Sequence, residues 1–198
     1  MSHCLLITNL KKGRCVIVHY NRRPLVIPEE QRIQDKAKSA PIIKDSGARR
    51  EFEGGAVRDI QTGKGRCDLL PMRVVANIME TDTLRDIALF IETGDCAYLY
   101  SAIRCWFEES GVGKADAFLE VSKHFEDGAL KYGERNWEKG IPVHCYIDSC
   151  VRHYLKWSRG DTDEPHDRAV LWNLICCIWT IETRSDCVDF PHTGLSKE

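Results

Sequence analysis

The sequence predicts an all-α helical bundle with an irregular N-terminal extension that carries a short β-hairpin. Three observations predict it. Apolar residues recur at helical spacing from residue 72 to about 182, glycine-containing breaks cut that region at helix-length intervals, and the first 43 residues show no such period. A chain of 198 residues is long enough for one solid core with an extension.

In chain order, 4–8 and 15–20 are short, β-branched and separated by a turn-like LKKGR, so they read as a hairpin. Residues 21–41 turn to Pro, Arg, Lys, Glu and Gln and read as a linker or arm. The segment 44–71 is Gly-rich, basic and poor in aliphatics. Helices are expected at 72–80, 83–92, 97–110, 115–132, 142–157 and from 163 or 164 to about 182, with Asp163 or Glu164 capping the last and Pro165 in its first turn. Six helices with short connections make a bundle. The resulting division is 1–43 extension, 44–185 helical domain and 186–198 polar tail.

Composition narrows the function classes. A formal net charge of −2 supplies no field that would draw the chain to nucleic acid or to a membrane surface. No apolar run approaches the roughly 20 residues that span a bilayer, and the N-terminus lacks a signal-peptide core, so the expectation is a cytoplasmic protein. The ten cysteines include no C-x-x-C pair, and Cys145, Cys150, Cys176 and Cys177 fall in apolar helical patterns. They read as free, buried thiols.

Three polar constellations stand out against this background. On the helix at 115–132, His124 and Lys131 lie two turns apart on nearly one face, flanked by Glu126. A carboxylate beside a lysine can hold Mg²⁺ and a phosphate together, although a solvated helix face has the same composition. The following KYGERNWEKG delivers Lys131, Arg135, Asn136 and Trp137 in a Gly-bounded turn, a set suited to phosphate binding, base stacking and hydrogen bonding. On 142–157, Asp148, Arg152 and Lys156 stand at i, i+4 and i+8, with His153 adjacent. They make either helix-surface ion pairs or a metal-plus-phosphate stripe. The third cluster, GDTDEPH, puts Asp163 and His166 at a helix start, and Asn173 two turns further on needs partners inside an apolar stretch. Upstream, Arg58, Lys64 and Arg66 among glycines read as an anion-binding segment or an RNA-contacting arm. The Ser/Thr that a Walker loop requires is absent from GKGR.

The segments REFEGGAVRDIQTGKGRCDLLP, HFEDGALKYGERNWEKGIP and DSCVRHYLKWSRGDTDEPHDRAVLWNL together resemble the phage-type dATP/dGTP diphosphohydrolase domain family, over 46–182. The resemblance implies a MazG-like activity, in which an all-α domain cleaves a purine deoxynucleoside triphosphate to monophosphate and pyrophosphate with carboxylate-held Mg²⁺, as a homo-oligomer. The MazG signature E-E-x-x-E with E-x-x-D is not present as such. Glu108 and Glu109 lack the third Glu, so Glu126, Asp148 and Asp163 are the candidate metal ligands. The remaining expected roles are proton transfer by His153 or His166, phosphate binding by Arg58, Lys64, Arg66, Lys131, Arg135 and Arg152, and base binding by Asn136, Trp137 and Asn173. Two alternatives stay open. One is a nucleotide-sequestering module without turnover, and the other is an HD-type phosphohydrolase built on His166–Asp167.

Overall fold

The computed structural model describes residues 6–8, 15–17 and 47–190. The arm expected at 21–41, the flanks of the first hairpin and residues 191–198 lie outside the described residues.

Strands β1 (Leu6–Thr8) and β2 (Cys15–Ile17) pair antiparallel with Leu6 opposite Ile17, inside the two stretches expected to form a hairpin. A second, unexpected antiparallel pair lies in the Gly-rich segment: β3 (Arg49–Glu51) and β4 (Val57–Asp59), with Arg49 opposite Asp59. Its loop closes through Phe52 N–H to Ala56 O and Gly55 N–H to Phe52 O, both 2.8 Å.

Six helices follow among the described residues: α1 (Met72–Met79), α2 (Asp82–Thr93), α3 (Ala97–Ser110), α4 (Lys114–Tyr132), α5 (Val143–Arg159) and α6 (His166–Thr183). Gly94, Gly111 and Gly160 end α2, α3 and α5 in the left-handed region at φ 72°, 65° and 87°. There a glycine carries no Cβ penalty, and its N–H reaches back to the last turn. Short 3₁₀ turns at Cys67–Leu69, Asn136–Lys139 and Ser185–Cys187 join the hairpin and the tail to the bundle.

The core is the seam between α5 and α6, extended by α2 and α3. Tyr146, Ile147, Cys150, Val151 and Tyr154 of α5 are fully buried, as are Val170, Leu171, Leu174 and Cys177 of α6. Leu84, Ile87, Phe90, Leu99 and Trp106 complete it from α2 and α3. Each such side chain contributes about 1.5–3 kcal/mol on leaving water. Glu109, half of the acidic pair considered for the MazG signature, is a structural staple. It accepts Thr83 N–H at 3.0 Å, Thr83 Oγ1 at 2.8 Å and Tyr154 OH at 2.7 Å, tying α2, α3 and α5 together and satisfying a free N–H at the start of α2. Residues 186–190, expected to begin a polar tail, pack back instead: Phe190 is buried edge-on against Phe90 at 6.3 Å. The eight cysteines within 47–190 are all free thiols. No described helix is long and apolar enough to cross a membrane.

The β3–β4 hairpin is clamped onto the bundle. Asn136 receives Val57 N–H at its Oδ1 and donates its Nδ2 to Val57 O, both at 2.8 Å. Gly54 lies so close to the Asn136–Lys139 turn that a Cβ on it would sit 1.9 Å from the Lys139 carbonyl oxygen. Gly54→Ala is therefore expected to push the hairpin off the bundle and lose about 1–3 kcal/mol of stability, as overpacking does. Urea denaturation measures it, and an unchanged midpoint would show that the hairpin is not held at this contact.

Candidate functional site

A cleft of about 1210 Å³ opens between the β3–β4 hairpin and helices α4, α5 and α6. One wall is basic. Arg58, projected from β4, donates from Nη1 to Cys145 O at 3.1 Å and from Nη2 to Ser149 Oγ at 3.2 Å and Asn173 Oδ1 at 3.4 Å. Its guanidinium lies 5.4 Å from the Tyr146 ring and 5.9 Å from that of Trp172. None of these partners carries a negative charge. Arg152 of α5 donates from Nη2 to the same Ser149 Oγ at 3.1 Å, while its Nη1 pairs with Asp148 at 2.7 Å. A hydroxyl has two acceptor lone pairs, so one buried serine holds two guanidinium groups side by side at the cleft. Lys64 also lines it. Burial lowers the Lys64 pKa, assisted by Arg152 and Lys131, and Asp59 opposes the shift.

The other wall is aromatic. Trp137 meets Trp179 at 4.7 Å and Phe125 at 5.7 Å, and Phe125 meets Trp172 at 5.8 Å. His124 leans on Trp172 at 5.4 Å. Burial, reinforced by Arg168 and Arg58, lowers its pKa to about 3, so it is neutral at physiological pH. Rings with a neutral polar edge form a stacking surface for a planar base.

A polar chain links these walls. Asp163 Oδ1 lies 2.8 Å from His166 Nε2, and His166 Nδ1 lies 2.9 Å from Nδ1 of His153. The carboxylate fixes a proton on His166 Nε2 and leaves its Nδ1 lone pair facing His153. His166 is 2% exposed, whereas His153 lines the cleft. Burial first, then the neighbouring His166 and Arg152, keeps the His153 pKa well below its ordinary value.

The expected site residues divide by what surrounds them. Arg58, Lys64, Arg152, Arg135, Trp137, Asn173, Glu126 and His153 line the cleft. Lys131 is spent on Asp59 at 2.8 Å, which also takes Tyr132 OH at 2.8 Å and Arg49 at 3.0 Å. Burial pushes the Asp59 carboxyl up, but the Lys131 and Tyr132 bonds together outweigh it and the net shift is downward. Arg66 turns onto Asp68 through both nitrogens. Arg135 reaches Glu138 at 2.7 Å. Asn136 lines the cleft, but its amide is consumed by Val57.

Glu126, Asp148 and Asp163, nominated as metal ligands, do not form a group. Among the described residues the three-donor clusters with atoms within 4.8 Å of one another are His153–Glu164–His166 and Asp161–Asp163–His166. Asp148 already accepts Cys67 N–H at 2.7 Å and Arg152 at 2.7 Å, one on each oxygen. Asp163 does not cap α6, which has no side-chain cap; it orients His166 instead. The sequence gives no sign of Ser149 beyond its place one turn before His153 on the cleft face of α5, and offers Glu164 only as a possible helix cap.

A second polar cluster borders the cleft behind Arg50. Arg50 Nη2 donates to Cys145 Sγ at 2.9 Å, His144 Nε2 lies 3.2 Å from that sulfur, and His144 Nδ1 pairs with Asp189. The bonds to Asp189 and Cys145 raise the His144 pKa to about 10.

The fold and the cleft define a helical domain in which an arginine-rich wall faces an aromatic one. Residues 111–189 match the model of a family described as dATP/dGTP diphosphohydrolase, N-terminal. The matched stretch takes in α4–α6 and overlaps the motifs that resemble this family, and it supports that resemblance. No curated protein and no solved structure matches the chain.

The His144–Asp189 pair gives a stability test. A raised folded-state pKa contributes fully below the ordinary His value of 6.5, fades as pH rises, and is gone above about 10. Asp189→Asn is expected to lower stability at pH 6 by on the order of 1 kcal/mol, since the carboxylate is over a third exposed. The difference from the parent should vanish by pH 10 to 11 in thermal melts. A pH-independent difference would contradict the ion pair.

Proposed function

We propose that the protein hydrolyses purine deoxynucleoside triphosphates, dATP and dGTP, to the monophosphate and pyrophosphate. The observation that carries this reading is the pair of guanidinium groups sharing Ser149 Oγ, one of them without a carboxylate partner among the described residues. Two like charges that share a neutral acceptor, with only one of them paired to a carboxylate, gain from a polyanion placed between them. The matched family's description supports the substrate class.

In this reading Arg58 and Arg152 hold the phosphates, with Lys64 at the rim, and bear on the charge that develops as water attacks the α phosphorus and pyrophosphate leaves. The base stacks along Trp137 and Phe125. The Asp163–His166–His153 chain ends at the cleft, where it activates the attacking water. The carboxylates nominated for Mg²⁺ do not fit as one cage, since Asp148 is fully engaged and the three do not converge. Mg²⁺ is therefore proposed only as the counter-ion that accompanies the triphosphate. A homo-oligomer and a cytoplasmic location complete the proposal, the first on the resemblance alone.

Incubation with dATP, dGTP, dCTP and ATP plus Mg²⁺, followed by separation of products, tests it. The expected products are dAMP or dGMP with pyrophosphate. Bound but intact nucleotide would favour sequestration, and nucleoside with inorganic triphosphate would favour the HD-type reaction. Arg58→Ala should lower kcat/KM by about 30–150-fold, the worth of a charge-assisted hydrogen bond of roughly 2–3 kcal/mol. His153→Gln should lower kcat by about 10²–10⁴-fold with KM nearly unchanged. Full activity in His153→Gln would remove the chain from the mechanism.

A further inference from the structure

The histidine pair is hydrogen-bonded, and its spacing is also one that two ligands of a single metal ion can take. His166 opens α6 directly after Pro165, and His153 faces it from the middle of α5. Their Nδ1 atoms are 2.9 Å apart. Metal–nitrogen bonds of about 2.1 Å place two adjacent nitrogens about 3.0 Å apart in an octahedron and about 3.4 Å apart in a tetrahedron. The observed spacing, that of a hydrogen bond, is close to the octahedral value and shorter than the tetrahedral one. A donor atom of Glu164 lies within 4.8 Å of donor atoms of both rings, and Glu164 and His153 both line the cleft.

We propose that His153, Glu164 and His166 form a binding site for an octahedral divalent transition-metal ion of the Mn²⁺ class, with Asp163 as the outer carboxylate that orients His166. Asp163 fits that role because it takes the far nitrogen of His166 at 2.8 Å, which fixes the tautomer and leaves Nδ1 as the ligating lone pair. Two imidazoles and one carboxylate select such an ion over Mg²⁺, which prefers an all-oxygen shell. The competing cluster, Asp161–Asp163–His166, is weaker because Arg159 already engages both oxygens of Asp161, at 2.7 and 2.5 Å. An ion held by three residues on one side keeps open positions toward the cleft, where a water and a phosphate oxygen can bind. This site rests on the proposed hydrolysis and deepens it. A bound ion would take the two Nδ1 lone pairs in place of the hydrogen bond between them and would polarise the water in place of the histidine chain. Its existence is tested without any nucleotide.

The probe is Mn²⁺, because the free thiols of the chain attract softer ions such as Zn²⁺. Full-length protein is stripped with chelator and titrated with Mn²⁺, and the free ion is read by electron paramagnetic resonance. The expected result is one Mn²⁺ per chain that a hundredfold excess of Mg²⁺ does not displace. Binding should weaken at least tenfold in His153→Ala and in Glu164→Gln, and about 10–100-fold in Asp163→Asn. Circular dichroism checks that each variant is folded, and Glu164→Gln, at a half-buried position, keeps the test decisive should the histidine variant unfold. Absence of Mn²⁺ binding by the parent protein, or binding that Glu164→Gln leaves unchanged, would overturn the site. Displacement by equimolar Mg²⁺ would overturn its selectivity. A protein that binds Mn²⁺ in this way yet hydrolyses no nucleotide would retain the site and lose only the proposed reaction.

Discussion

One serine hydroxyl holds two positive charges together, and the arrangement of the cleft depends on it. Ser149 Oγ receives Arg58 from the hairpin and Arg152 from its own helix, at 3.2 and 3.1 Å. Bringing two guanidinium groups this close is unfavourable without an anion. The fold offsets that cost by satisfying Arg58 with Cys145 O and Asn173, by pairing Arg152 with Asp148, and by clamping the hairpin through Asn136 and Val57. A polyanion between the two groups, as proposed above, would offset the rest of that cost. The same hairpin brings Asp59 to Lys131 and Tyr132, which anchors the basic wall to α4.

The division of labour between the elements follows. The α5–α6 seam is the rigid part of the molecule, and it carries Ser149, Arg152, His153, His166 and Asn173 on or beside its buried face. Helix α4, the turn after it and the Trp172 and Trp179 side chains of α6 supply the aromatic wall. The hairpin contributes Arg58 and lies outside the 111–189 stretch that matches the family model. His153 and His166 thus belong to the matched part of the chain, and one half of the guanidinium pair is delivered from outside it.

Much of the fold was legible in the sequence, because helical periodicity and glycine stops are local signals. Gly94, Gly111, Gly133 and Gly160 mark real helix ends. The β3–β4 hairpin was not legible, since three-residue strands of polar residues show no alternation to read. The site was legible as a neighbourhood and not as roles. Arg58, Arg152, His153 and His166 were flagged by type and spacing, and they do meet in space. Lys131, Arg66, Asp148 and Asn136 were flagged by the same criteria, yet each is consumed by a partner that the sequence could not place beside it: Asp59, Asp68, Cys67 N–H with Arg152, and Val57. The sequence places Asp163 as a helix cap, whereas it holds a histidine. Spacing along a helix selects candidates, but tertiary pairing decides which of them remain available to a ligand.

The most direct measurement of the central claim is a crystal structure with a dATP analogue whose α–β bridge cannot be hydrolysed. The account predicts phosphate oxygens between Arg58 and Arg152, replacing Ser149 as their shared partner, with the base against Trp137 and the α phosphorus facing His153. Phosphates bound away from this guanidinium pair, with Ser149 still bridging both arginines, would contradict it.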